Sequence, residues 1–389
     1  MDRPMLYLNN AATAWPRAPG VVEAVRDMLT GIPDNPGRSQ EMTSCDPLHD
    51  ADPMTECRRR LASLLSVPDP SRIALCSNAT HALNLAILGQ DHIRCRRVIT
   101  SVTEHNSVLR PLAHIRQRQG IDCAIIGLDE SGALDGEAYE SALEKGADLV
   151  VLNHASNVTG RVQDVGPFFA RAKEAGAITL LDASQTLGHI PVHPESLHAD
   201  LVAFTGHKAL RGPPGTGGLY VSPLLELEQT IVGGTGVRSD LEFHPPDMPM
   251  RLEAGTPNMP AFAGLAAALR WHERSGRGFQ DDEMARARQL REGLEGIGGV
   301  RIMDPDPAAR RVPILSVRVS GWPVEDCGYV LLKSFGIICR SGLHCAPLIH
   351  APIGSAPEGT VRFSPSGFTT PDEIDFVVSA VKKVAESVG

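Results

Sequence analysis

Between residues 57 and 250, short apolar runs alternate with amphipathic stretches. The runs are Arg72–Cys76, Arg97–Ser101, Asp122–Gly127, Asp148–Asn153, Ile178–Asp182, Leu201–Thr205 and Gly217–Val221, each closed by polar or small residues. Segments so short and so evenly apolar read as strands buried on both faces, the situation inside a parallel sheet covered by helices. The stretches between them supply helices at Thr80–Leu88, Ser107–Gln119, Tyr139–Glu144 and Val165–Ala175, with a short one near Pro194–Leu197. The pattern predicts an α/β fold on a seven-stranded, mostly parallel sheet.

After Ile231 the pattern changes. Residues 233–260 are rich in Gly, Pro and Met and read as a long functional loop. Helices are expected at Pro260–Arg274 and Asp281–Leu294, then strands at Ile314–Val319, Ile337–Arg340 and Thr360–Phe363, with helices at Val324–Ser334 and Pro371–Glu386. At 389 residues the chain exceeds the roughly 250–300 at which one core usually divides. We expect a large domain over 15–255 and a smaller C-terminal α+β domain from 1–14 and 256–389, the boundary lying within 250–275.

Lys and Arg number 37 against 46 Asp and Glu, a formal charge of −9 that leaves no electrostatic footprint for nucleic acid or an anionic membrane. No stretch approaches the roughly 18 consecutive apolar residues of a bilayer span. The first residues, Met-Asp-Arg-Pro-Met-Leu-Tyr-Leu-Asn-Asn, lack the apolar core of a secretory signal and read as a first strand, so a cytoplasmic protein is expected. Cysteines at 45, 57, 76, 95, 123, 327, 339 and 345 form no Cys-x-x-Cys pair, so neither a disulfide framework nor a zinc spacing is visible. Cys76, Cys95, Cys123 and Cys339 lie in or beside apolar runs and read as small hydrophobes.

In an open α/β sheet, ligands bind at the carboxyl ends of the strands. Five successive runs end there in polar residues: Ser77-Asn-Ala-Thr80-His81, Thr103-Glu-His105-Asn106, Asn153-His-Ala-Ser-Asn157, Asp182-Ala-Ser-Gln185 and Thr205-Gly-His207-Lys208. A structural protein has no reason to converge them, and an active site does. Asn78-Ala79-Thr80 opens a helix, which suits a phosphate or a plain threonine cap equally. Asp182 closes an apolar run with no base nearby in sequence, so its cationic partner is a distant Arg or a ligand. Lys208 precedes the glycine-rich Arg211–Gly218 and is a candidate for a Schiff base. Together, Asp182 and Lys208 fit pyridoxal phosphate, the acid holding the ring nitrogen protonated and the lysine carrying the aldehyde carbon.

His105 can stack on a cofactor ring, and His207 can contact its phosphate, although a hydrogen-bonded structural histidine fits His207 as well. Cys345, in Arg340-Ser-Gly-Leu-His344-Cys345-Ala-Pro347, has His344 and Arg340 nearby, the electropositive setting that lowers a thiol pKa. Arg362 interrupts an apolar strand and suits either a substrate carboxylate or a structural ion pair.

These motifs, with Tyr7-Leu-Asn-Asn-Ala-Ala-Thr13, Glu253-Ala-Gly-Thr256-Pro-Asn258 and His154-Ala-Ser-Asn157-Val-Thr-Gly160, span nearly the whole chain. In this order the chain resembles the class V, fold-type I pyridoxal phosphate enzymes, and within them the cysteine desulfurase and selenocysteine lyase group. The resemblance implies that Lys208 carries the cofactor, Asp182 pairs with the ring nitrogen, Gln185 bonds the ring oxygen and His105 stacks on the ring. It implies that Ala79, Thr80, Thr205 and His207 hold the phosphate. Gly255 and Thr256 would reach the phosphate of a neighbouring subunit in a homodimer with shared sites. Asn157 and Arg362 would bind the substrate side, Arg340 would lie beside Cys345, and Cys345 would accept sulfur from L-cysteine before passing it to an acceptor protein, with L-selenocysteine as a further substrate and selenocysteine lyase as one alternative. An aminotransferase, epimerase or C–S lyase on the same cofactor is another. The chain departs from the family pattern at Asn106, at Leu343, and at Ser364-Pro-Ser-Gly-Phe368-Thr-Thr370, close to Arg362.

Overall fold

The computed structural model describes residues 5–31, 52–90, 95–304, 306 and 308–387, and the backbone alone at 276. Cys45 lies outside these residues. A short strand β1 (Leu6–Tyr7) and helices α1 (Val21–Thr30) and α2 (Pro53–Leu65) lead into the large sheet. Its strands are β2 (Ile73–Cys76), β3 (Arg97–Ser101), β4 (Asp122–Ile126), β5 (Leu149–Asn153), β6 (Ile178–Asp182), β7 (Leu201–Thr205) and β8 (Gly217–Val221), in the order β2-β8-β7-β6-β5-β3-β4. Five strands, β4-β3-β5-β6-β7, run parallel, and β8 is antiparallel to both its neighbours.

The pleat sends alternate residues to opposite faces. Val98, Leu149, Val151, Leu180 and Leu201 join one apolar core with α3 (Ala79–Leu88) and α4 (Asn106–Gln119). Ile99, Val150, Leu152, Leu181 and Val202 join the other with α2, α5 (Gly136–Leu143) and α6 (Val165–Glu174). Burial on both faces is why these runs lack polar alternation. Chain order reverses between β3 and β5, which opens a crevice at their carboxyl ends.

Where two helices were expected there is one, α7 (Met259–Leu294), 36 residues long. Trp271 packs edge-on against Phe279 at 4.9 Å, and Gln280 Nε2 donates to Gly188 O at 2.8 Å. The ring contact within the helix and the tertiary reach to Gly188 together offset the roughly 1 kcal/mol that a glycine costs inside a helix. The first half of α7 packs Phe262, Leu265 and Leu269 into the large-sheet core, and the second half sends Leu290 and Leu294 into a separate core. That second core surrounds an antiparallel sheet of β9 (Val300–Ile302), β10 (Leu315–Val319), β12 (Arg340–Gly342) and β13 (Thr360–Phe363), ordered β12-β13-β10-β9. Helices α8 (Val324–Phe335) and α9 (Pro371–Glu386) cover it.

The run expected as one strand over Ile337–Arg340 is divided. Its first part, β11 (Ile337–Ile338), pairs in parallel with β1, and β12 pairs with β13. Pro194–Leu197 forms turns rather than a helix, because His198 takes a left-handed conformation (φ 54°) that closes the segment after one turn. Sequence reading missed α1, α2 and β9, although Asp52 before Pro53 is a legible start: the Asp52 side chain accepts from the N–H groups of Met54 and Thr55.

The 233–258 segment has neither helix nor strand. Its end is anchored by the buried ion pair of Glu253 with Arg58 on α2 at 2.6 Å, and Glu253 also accepts from the N–H of Leu75 on β2. Removing one member of a buried pair strands the other charge. Glu253→Ala is expected to lower unfolding stability by about 3–5 kcal/mol. Urea denaturation measures this, and a loss below about 1 kcal/mol would contradict the anchoring role.

Candidate active site

A cavity of about 200 Å³ sits in the crevice, lined by Ala79, Thr80, His105, Asn157, Asp182, Gln185, Thr205, His207, Lys208, Arg340 and Arg362. Eleven separate expectations therefore meet in one place. Gly255 and Thr256 do not: they lie on an exposed loop outside the lining. Cys345 opens into an adjoining outer groove that shares Thr80, His105 and Ser107 with the cavity.

Asp182 is 6% exposed at the end of β6. One carboxylate oxygen, Oδ1, accepts from the N–H of Ser184 at 2.9 Å and from its hydroxyl, and among the described residues no basic side chain pairs with it. A buried carboxylate with no cation calls for a cationic ligand group. Behind it Glu104 is fully buried, accepting from Ser101 Oγ at 2.7 Å and from Asn153 N–H at 2.9 Å through Oε1 while Oε2 has no partner. Burial pushes its carboxyl up to about 8.

Lys208 follows β7. Burial pushes its amine down to about 8, with Arg362 and Arg340 adding to the shift against the pull of Asp182. This brings the neutral, nucleophilic amine within reach near neutrality. His105 caps α4: the N–H of Ser107 donates to its Nδ1 at 3.0 Å, which leaves the proton on Nε2. Burial, then the charge of Lys208, hold its pKa near 4, so it presents a neutral ring. His207, whose Nδ1 is 3.0 Å from Thr13 Oγ1, is likewise lowered to about 4 by burial.

Asn78 caps α3 by accepting from His81 N–H at 2.9 Å, leaving the first-turn N–H groups beside Ala79 and Thr80 facing an anion-sized space. Gly217 on β8 lets this turn approach, since a Cβ there would lie 2.8 Å from the Asn78 backbone. Gln185 lines the opposite wall and donates to Ala11 O at 3.1 Å.

Arg362 and Arg340 are cross-strand partners on β13 and β12, two like charges side by side. Arg362 is 1% exposed, donates to Asn157 O at 2.7 Å and to Asn9 Oδ1 at 3.2 Å, and keeps Nε without a partner. Burial, then Arg340, push it down to about 9. Among the described residues neither arginine pairs with a carboxylate, so the pair wants an anion from outside. Arg340 donates to Cys345 Sγ at 3.1 Å.

The thiol's surroundings differ from expectation in one respect. His344 is buried, with Nε2 2.8 Å from Thr360 Oγ1, and burial pushes it down to about 2, so it stays neutral and Arg340 supplies the positive charge. His344 and Cys345 both adopt left-handed backbone (φ 52° and 62°). Asn157 Nδ2 donates to His344 O at 2.6 Å, and the N–H of Asn106 to Cys345 O at 2.7 Å. Non-glycine residues hold such conformations only where their surroundings enforce them. Of the other cysteines, Cys76 and Cys95 are buried while Cys123 and Cys339 are partly buried, and all seven in the described residues are free. Ser107, Ser184, Asn153 and Ala12 also line the cavity. Asn153, the last residue of β5, and Ser184, two residues after β6, fall within the strand-end motifs read from the sequence, whereas Ser107, in the first turn of α4, falls just beyond the one that follows β3.

The family model of the class-V aminotransferases matches residues 6–377, and the chain belongs to that family. A protein of Methanothermobacter thermautotrophicus named "Probable cysteine desulfurase" is 31% identical over 390 residues, 98% of this chain and 95% of the relative. Among solved structures, the apo cysteine desulfurase of Thermococcus onnurineus NA1 superposes with a TM-score of 0.87 at 30% identity, covering 98% of this chain and 95% of that one. The cysteine desulfurase CsdA of Escherichia coli, in its S-sulfonic acid form, gives 0.86 at 28% identity, covering 99% and 96%. Members of this family use pyridoxal phosphate, and the residues fit it: an acid awaiting a cation, a lysine of lowered pKa and open helix N–H groups surround one cavity.

Proposed function

We propose that this chain is a pyridoxal phosphate-dependent cysteine desulfurase that converts L-cysteine to L-alanine and takes the sulfur onto Cys345 as a persulfide. The observation that carries this reading is a free thiol held 3.1 Å from Arg340, a residue lining the same cavity as Lys208. An aminotransferase needs the lysine but has no use for that thiol.

When bound, pyridoxal phosphate supplies an electron sink for the substrate carbon that loses its proton. Lys208 Nζ carries the cofactor, then as a free amine takes the Cα proton and returns one to the product. Arg362 and Arg340 hold the substrate carboxylate, the anion that their unpaired charges call for. Asp182 would face the ring nitrogen, His105 would lie against the ring as a neutral imidazole, and Gln185 would face the ring oxygen. Ala79, Thr80, Thr205 and His207, which line the same cavity, would surround the phosphate. The Cys345 thiolate attacks the substrate sulfur: an S–S bond forms, the C–S bond breaks, and its electron pair stays on carbon, which is protonated to alanine.

The active form would be a homodimer in the cytoplasm, with Gly255 and Thr256 reaching the phosphate of the other copy. Their exposure supports this, as do Ile231, Val232 and Phe243, exposed on the preceding loop. Residues 15–255 would form the cofactor domain, with 1–14 and 256–389 as the second. The described residues include no helix long and apolar enough to cross a membrane. Incubation with L-cysteine and a thiol reductant is expected to yield alanine and sulfide in equal amounts. Alanine without sulfide, or neither product, would contradict the assignment.

A further inference from the structure

Arg211 stands three residues after Lys208, in a glycine- and proline-rich segment where an arginine would ordinarily face solvent. It is instead 1% exposed. Its guanidinium lies 5.0 Å from the ring centre of Phe279 and 5.1 Å from that of Phe368. Nη2 donates to Ser366 Oγ at 2.7 Å, and Nη1 donates to Glu283 on α7 at 3.3 Å. Glu283 also contacts His189 Nδ1 at 3.0 Å. Ser366 and Phe368 belong to the stretch that follows β13, four and six residues after Arg362.

The backbone of Arg211 is equally constrained. Its φ is 57°, its N–H donates to Lys208 O at 2.8 Å, and its carbonyl accepts from Ala18 N–H at 3.2 Å. One residue thus closes the turn that begins at Lys208 and fastens it to the segment that continues from Arg362.

We propose that Arg211 is a positioning residue that ties the Lys208 turn to the Ser366–Phe368 segment and so fixes Lys208 relative to Arg362. The proposal rests on the reading of Lys208 as the cofactor-bearing amine. A 1 Å misplacement of a reacting group costs on the order of a hundredfold in rate, so a clamp of this kind belongs in kcat. A role confined to the turn predicts otherwise, because Arg211→Gly would relieve the left-handed backbone and leave the rate unchanged or raised.

The test uses the full-length chain with Arg211→Gly, Arg211→Met, Arg211→Lys and Ser366→Ala. It compares kcat and KM for L-cysteine, the rate at which the apoprotein captures pyridoxal phosphate, and the thermal midpoint. Arg211→Gly and Arg211→Met are expected to lower kcat by roughly ten- to a hundredfold with KM within about threefold, and to slow capture. Ser366→Ala is expected to lower kcat by a few-fold, and Arg211→Lys to recover part of the loss. Folded Arg211→Gly or Arg211→Met protein with kcat and capture rate within about twofold of the parent would overturn the proposal. If neither variant folds, Ser366→Ala, which removes one hydrogen bond, decides: unchanged kcat and capture overturn it. Lys208→Ala distinguishes this failure from failure of the underlying reading, since a variant that still captured the aldehyde would displace Lys208 itself.

Discussion

Lys208→Ala is expected to eliminate covalent capture of pyridoxal phosphate and to lower alanine formation from L-cysteine by at least roughly 10²–10⁴-fold, the contribution of a positioned base alone. The argument starts from burial. Lys208 sits in a cavity with Arg340 and Arg362, and burial with those two charges depresses its pKa to about 8. The neutral amine is the nucleophile and the base, so capture by the apoprotein should accelerate as pH rises through about 8 and level off above it. A free lysine would still be accelerating toward its ordinary pKa of about 10.4. The measurement is the rate of loss of free-aldehyde absorbance between about pH 6 and 10, with the Lys208→Ala protein as blank. Capture that keeps increasing tenfold per pH unit up to about pH 10 would contradict the buried, cation-flanked environment.

Cys345→Ser should reduce sulfide release from L-cysteine by at least roughly a hundredfold while leaving the fold intact. The side chain is only partly buried and its direct partner is Arg340, so little packing is lost. A serine hydroxyl stays protonated beside the same guanidinium and cannot accept sulfur as a thiolate does. L-selenocysteine, whose C–Se bond breaks more readily, should still give alanine. Sulfide release at the parent rate would remove Cys345 from the reaction and return the chain to the broader class of pyridoxal phosphate enzymes.

Much of the large domain was legible because its strands are buried twice over. Arg97–Ser101, Ile178–Asp182, Leu201–Thr205 and Gly217–Val221 end where the apolar runs end, since a strand covered on both faces is mostly apolar along its length. The same logic located Asp182, the last residue of β6, and Lys208 and His105, each a few residues past a strand. Contacts made by distant residues were not legible. The continuity of α7 depends in part on Gln280 reaching Gly188, 92 residues away. Arg211 reads as a surface charge until Phe279, Phe368 and Glu283 close around it. His344 beside a cysteine suggests a charge donor, and only the partner at Thr360 reveals it as neutral.

The position of β12 has a mechanical outcome. It is the outermost strand of the small sheet and pairs with β13 alone, so the segment running from Gly342 past Cys345 hangs from a rim. Two hydrogen bonds leash that segment to the opposite side of the crevice, from Asn157 to His344 and from Asn106 to Cys345. Both bonds together are worth about 1–3 kcal/mol, and neither belongs to a strand pairing. On the near side His344, 2% exposed, is bonded through Nε2 to Thr360 on β13, so Cys345 is suspended between two walls and feels any change in the gap between them.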